Sequence, residues 1–425
     1  MDVRTASREE LLSLKDELTA RYNEACSKNL KLDMSRGKPG ADQLDLSQGI
    51  LTEIQTNEDA VFEGLDLRNY GGLDGIPACK ALFADMLHVK PENVLIGGNA
   101  SLTMMYDNIM RLWVFGDCGG NKPWSQQGTI KFLCPVPGYD RHFAICQQLG
   151  MELINIPMKD DGPDMDMVEK LVAEDASVKG IWCVPKYSNP TGAVYSDEVV
   201  RRFASIKHAA PDFKIMWDNA YCVHHLTDDK IEIPNILEEA AKYGNEDIVF
   251  QFASTSKITF PGAGVARMTA SVNNIKWAKN LLKVQAIGPD KINQARHVKF
   301  FGNVEGIAAH MEKHRAILAP KFEMVLSMLE ENLGGTGAGS WLSPKGGYFI
   351  SFDSYPGCAK RIYDLCKQAG VVLTDAGATF PYGKDPEDKN LRIAPSYPPV
   401  EELKAAMEVF CVCALLAAVE KKLAE

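Results

Sequence analysis

Four short segments of this 425-residue chain carry side chains able to do covalent or acid–base chemistry, and each follows an apolar run. The first is Ala253-Ser254-Thr255-Ser256-Lys257. Its amine can condense with an aldehyde, and the hydroxyls of Ser254 and Ser256 suit a phosphate dianion. Taken alone, a lysine after a hydroxyl-rich turn is more often a surface residue. The second, Trp217-Asp218-Asn219-Ala220-Tyr221, puts a carboxylate where it could pair with a buried cation such as a protonated ring nitrogen. The Tyr221 phenol, three residues on, could hydrogen-bond a ring oxygen, but a turn aspartate capping a helix is the plainer alternative. In Asn189-Pro190-Thr191-Gly192 turn chemistry explains most of the pattern, and the Asn189 amide is a spare donor. Finally, Ile96-Gly97-Gly98-Asn99-Ala100-Ser101 reads as a strand-to-helix junction whose backbone N–H groups could hold a phosphate; a glycine turn without a ligand is equally ordinary.

These residues need a frame. Residues 94–98, 180–184, 213–217 and 247–251 read as short buried strands separated by amphipathic stretches. Such alternation predicts an α/β fold with a mostly parallel sheet covered by helices, and ligands then bind beyond the carboxyl ends of the strands. Before this lies a helix over Ser7 to Ala25, with leucines at mostly helical spacing, followed by a breaker-rich loop at Met34 to Gly40. The pattern is strongly helical from Asn293 to Leu333, then gives a glycine-rich turn at Gly334 to Gly339. A compact α+β segment follows, with strands at 347–352 and 391–394 and helices at 358–370 and 400–423.

Composition narrows the class. The net charge of −10, from 46 Lys+Arg against 56 Asp+Glu, opposes a nucleic-acid or anionic-membrane partner, since both need a basic face. No run approaches the ~18 apolar residues of a transmembrane helix, and the polar N-terminus lacks a signal-peptide core. The 11 cysteines are scattered without C-x-x-C spacing, which fits reduced thiols in a cytoplasm. His310 and His314 stand at i, i+4 on a charged helical stretch. A solvated face is the expected place for them, and no metal is expected.

Gly98, Asn189, Asp218 and Lys257 come in one order, each at the end of a strand of one inferred sheet. That ordered set closely resembles fold-type I pyridoxal-phosphate aminotransferases, the aspartate aminotransferase superfamily. The resemblance runs from about residue 30 to the end. Tyr70 in Asn69-Tyr70-Gly71-Gly72, Tyr139 in Pro137-Gly138-Tyr139 and Arg392 in Asn390-Leu391-Arg392-Ile393-Ala394 extend it. Ser35 to Pro39, Ile287 to Gln294 and Gly377 to Gly383 look like a subgroup known as MocR-like. The resemblance implies a three-layer α/β/α pyridoxal-phosphate domain at 46–319 and a small α+β domain built from 1–45 with 320–425. It implies pyridoxal 5′-phosphate as cofactor, held as a Schiff base on Lys257, which also shuttles the substrate proton. Asp218 would keep the ring nitrogen protonated, and Tyr221 and Asn189 would bond the phenolic oxygen. Tyr139 would stack on the ring, while Ser254, Ser256, Gly98, Asn99, Ala100 and Ser101 would surround the phosphate. Tyr70 would reach the phosphate of a neighbouring subunit, so a homodimer is implied. Arg392 would grip the α-carboxylate of an amino- or oxo-acid substrate, with Asn189 and Gly37 beside it.

One departure stands out. The family usually has an arginine shortly after the lysine to pair with the phosphate; here Gly264 fills that place, and Arg267 falls three residues late. Phosphate pairing is therefore not assigned to Arg267. Aspartate or glutamate is the expected substrate, and Lys291, Arg36, Lys38 and Arg141 compete to read a second carboxylate. Two rival readings keep the scaffold: a C–S β-lyase, and a non-catalytic transcription regulator. The regulator fits poorly, because only about 30 residues precede the first matching motif.

Overall fold

The computed structural model describes residues 1–425. Eight strands form the large sheet: β1 (Val94–Ile96), β2 (Lys131–Val136), β3 (Glu152–Lys159), β4 (Gly162–Pro163), β5 (Val178–Cys183), β6 (Lys214–Asp218), β7 (Val249–Ser254) and β8 (Ala266–Ala270). Their order is β1-β8-β7-β6-β5-β2-β3-β4. The five strands β7, β6, β5, β2 and β3 are parallel, and β8 is antiparallel to both its neighbours. Continuous apolar runs suit such strands because both faces are covered. Phe132, Trp182, Met216 and Phe250 belong to the core on one face; Leu133, Ile181, Ile215 and Val249 belong to the core on the other. Adjacent residues thus divide between two layers, as the two-residue repeat of a strand requires.

The N-terminal helix Arg8–Ser27 starts at Ser7, whose hydroxyl accepts from the Glu10 N–H while the Glu10 carboxylate accepts from the Ser7 N–H. It packs with the helix Val400–Ala424, the helix Ala359–Gln368 and a three-stranded antiparallel sheet of Gly339–Trp341, Ile350–Ser354 and Asn390–Ile393. A short parallel pairing of Leu32–Asp33 with Val371–Val372 ties the N-terminal segment to this part of the chain.

Two expectations are corrected. The helical stretch from 293 to 333 is two helices, Lys291–Phe301 and Val304–Leu333. Gly302, at φ +70°, breaks it, and the Asn303 side chain caps the second helix by accepting from the Gly306 N–H. His310 and His314 do not lie on a solvated face. They are 4% and 1% exposed, because this side of the long helix packs onto the loop after β7 and supplies donors to its main chain.

Candidate active site

The parallel strands point their carboxyl ends at one cavity of about 740 Å³. Asp218 is the last residue of β6, Ser254 is the last of β7, and Lys257 follows in the turn. Lys257, Asp218, Tyr221, Asn189, Tyr139, Ser254, Ser256, Ala100, Ser101, Gly37 and Arg392 all line this cavity. Residues scattered from 37 to 392 therefore meet at one sheet edge, where the topology predicts a ligand site.

Asp218 is 3% exposed. Its Oδ2 lies 3.0 Å from Nε2 of His142, while its Oδ1 is buried without a partner. His142 is itself fixed by stacking on Trp182, with centroids 4.3 Å apart and planes 9° apart. An oriented carboxylate with one free oxygen is suited to a cationic N–H brought by a ligand, because a buried acceptor left unmade is costly. His142 escaped the sequence reading; its only signal is a lone histidine three residues after Tyr139 on the helix Asp140–Gln148.

Lys257 stands with Nζ 5.0 Å from the Tyr221 ring centroid. Burial lowers its proton affinity and the Arg392 charge lowers it further, whereas Asp218 opposes the shift. Burial pushes the Tyr221 phenol well above its ordinary range, and burial with the Asp218 charge pushes Tyr139 up to about 12. Both rings therefore stay protonated.

Arg392 lies over the Phe349 ring at 4.7 Å. One Nη donates to Asn189 Oδ1 at 3.2 Å and approaches Asp140 at 3.5 Å; the other donates to Thr374 Oγ1 at 3.3 Å. Its Nε is buried and unpartnered. Since Asn189 accepts through Oδ1, its amide N–H groups remain available to the cavity.

Other expected residues lie elsewhere. Gly98 lines an adjoining cavity of about 190 Å³ instead. Asn99 does not line the cavity, and its side chain donates to the Pro261 carbonyl. Tyr70 is 84% exposed and does not line the cavity of its own chain. Of the four cations weighed for a second carboxylate, Arg36 and Arg141 line the cavity. Lys38 sits over the Tyr397 ring and Lys291 donates to the Gly71 carbonyl. Arg267 packs on Phe83 at 4.3 Å, fully buried beneath the helix Pro77–Leu87 rather than in the cavity. At Gly264 a Cβ would lie 3.0 to 3.2 Å from the Asn99 and Phe260 carbonyls and the Thr255 hydroxyl, so no side chain fits there without a shift.

The family model described as aspartate amino-transferase matches residues 6–425. A putative aminotransferase of Mycolicibacterium smegmatis is 49% identical over the full length of both chains. An aspartate aminotransferase of Corynebacterium glutamicum is 47% identical over 95% of this chain and 94% of its own. The crystal structure of an aspartate transaminase from Corynebacterium glutamicum superposes with a TM-score of 0.97 at 46% identity, covering 99% of each chain. The chain belongs to the aspartate aminotransferase family, whose members use pyridoxal phosphate, and it is an aminotransferase.

Proposed function

We propose that the chain transfers the amino group of a dicarboxylic L-amino acid, aspartate or glutamate, to a 2-oxo acid, with Lys257 carrying pyridoxal 5′-phosphate. One observation carries the assignment. The Lys257 amine, a carboxylate with one unpaired oxygen and a guanidinium with an unpaired Nε belong to residues lining a single cavity. When bound, the cofactor supplies an electron sink for negative charge at the substrate Cα.

Asp218 Oδ1 accepts the ring N–H, and His142 holds the other oxygen so that the carboxylate keeps its aim. The Tyr221 hydroxyl and the Asn189 amide donate to the phenolic oxygen, and Tyr139 stacks on the ring. Ser254, Ser256 and Ser101, with the backbone of Ala100 and Ser101 at the start of the helix Ser101–Phe115, hold the phosphate. Arg392 binds the α-carboxylate in a fork beside Gly37, displacing Asp140 from its Nη. Lys257, whose lowered proton affinity favours the free amine, takes the proton from the substrate Cα at Nζ and returns it. Arg36 and Arg141 read the second carboxylate.

The exposed Tyr70, with the exposed apolar side chains of Val284 and Ile287, supports a homodimer in which Tyr70 serves the neighbouring site. The large core around the sheet and the separate core joining the two ends of the chain support domains at 46–319 and at 1–45 with 320–425. Eleven free cysteines fit a reducing cytoplasm. The segments at 35–39, 287–294 and 377–383 support placement in the MocR-like subgroup.

The test is a half-reaction. Aspartate added to the loaded enzyme without an oxo acid should change the cofactor absorbance and release oxaloacetate. Release of pyruvate, ammonia and a thiol from an S-alkyl cysteine, with no oxo acid present, would point to β-elimination instead.

A further inference from the structure

Four of the eight histidines of this chain, with Gln43 and Tyr348, surround the main chain from Thr255 to Thr259, outside the cavity. His224 Nε2 lies 3.2 Å from the Lys257 carbonyl, and the Tyr348 hydroxyl donates to the same oxygen at 3.4 Å. The Ile258 carbonyl receives His310 Nε2 at 2.8 Å and His314 Nε2 at 2.9 Å. His297 meets the Thr255 and Thr259 hydroxyls at 3.2 and 2.9 Å.

The donors run in one direction, and Gln43 sets it. Its Oε1 accepts from the Gly40 N–H at 3.1 Å, so its Nε2 carries both remaining hydrogens toward the interior. One goes to His314 Nδ1 at 3.1 Å and the other to the Tyr348 oxygen at 2.9 Å. His314 Nδ1 must then be bare, so its proton is on Nε2 and points at the Ile258 carbonyl. Tyr348, accepting from Gln43, keeps its own proton for the Lys257 carbonyl. A proton added to His314 would face the Gln43 N–H group donor to donor. Burial and the neighbouring His310 hold the His314 imidazole down to about 4, while the Ile258 carbonyl and Asp42 oppose this. The other titratable groups around it are His224, from the turn after β6, and Tyr348.

Both ends of this network touch segments that also build the substrate site. Gln43 lies six residues after Gly37, which lines the cavity, and Tyr348 precedes Phe349, on which Arg392 rests. We propose that Gln43, His314 and Tyr348 are positioning residues: they fix the main chain of Lys257 relative to the segments that hold the substrate, and so set where its amine meets the substrate Cα. This inference rests on the proposed roles of Lys257 and Arg392.

The experiment compares Tyr348→Phe, His314→Leu and His314→Gln in the cofactor-loaded enzyme. Tyr348→Phe removes one hydroxyl, and His314→Gln retains an N–H that can reach the Ile258 carbonyl. Expected is a fall in kcat of about tenfold or more for Tyr348→Phe and His314→Leu, with KM changing less, since small misplacements of a reacting group are costly. The pH at which the bound cofactor's visible band titrates should move by about half a unit or more. His314→Gln should recover most of both effects. Folded, cofactor-retaining Tyr348→Phe with unchanged kcat and band titration would overturn the proposal, as would equal losses in His314→Gln and His314→Leu. Tyr348→Phe decides alone if the His314 variants do not fold. Lys257→Ala separates the two readings: a protein that kept the lysine-bound absorbance after dialysis would remove the role of Lys257 itself.

Discussion

At the scale of the residue, the site divides into groups that bond the cofactor and groups that grip the substrate, and the two classes should fail differently. Lys257→Ala removes the proposed proton carrier, and kcat should fall by about 10³-fold or more. Arg392→Lys keeps the charge but loses the planar fork. The expected loss in kcat/KM is about 30-fold or more, since a lysine presents a point charge where two parallel N–H donors are needed. Arg36 and Arg141 offer the sharper specificity test. Replacing the one that reads the second carboxylate by glutamine should lower kcat/KM for aspartate by about tenfold or more while leaving an aromatic amino acid unaffected. If neither replacement discriminates, Lys291 is the next residue to replace.

At the scale of the element, the loop between β7 and β8 holds Gly264, the position read in the sequence as a departure from the family pattern. The backbone passes so close to Asn99 and Thr255 that Gly264 has no room for a side chain. Putting back the family residue as Gly264→Arg should therefore not tighten the phosphate. Overpacking of this kind costs about 1–3 kcal/mol, so thermal melting should fall and cofactor should dissociate faster. Slower dissociation would show that the loop can open to admit the guanidinium. In the proposed reading phosphate binding rests on hydroxyls and on the N-terminus of the helix Ser101–Phe115, whose leading residue, Ala100, makes no side-chain cap.

At the scale of the whole molecule, the buried histidines make stability depend on pH. His297 and His314 are held to about 4, mainly by burial, against an ordinary value of 6.5. Between these values the unfolded chain binds protons that the fold refuses, so stability is full above about 6.5 and falls as pH drops toward 4. Each buried ring contributes a few kcal/mol at most. Melting temperature should decline steadily from pH 7 to pH 4.5, and His297→Gln should flatten that slope. An equal slope in the variant would show that His297 does not contribute to the decline.

The sequence alone determined the parts of this protein that are written locally. Apolar runs marked several strands to within three residues, and the leucine spacing marked the first helix. The polar residue after each run gave Asp218, Asn189 and Lys257, because in a parallel sheet the carboxyl end of a strand is also where its ligand groups must stand. Only the tertiary structure decided pairings between distant segments. His142 holding Asp218, Phe349 under Arg392, and Gln43 wired through His314 and Tyr348 to the lysine's main chain join residues 43 to 305 positions apart. The i, i+4 spacing of His310 and His314 says that they share a helix face but not what covers it. Burial of that face followed from where the long helix packs, and the Ile258 carbonyl gave both of its histidines their partner.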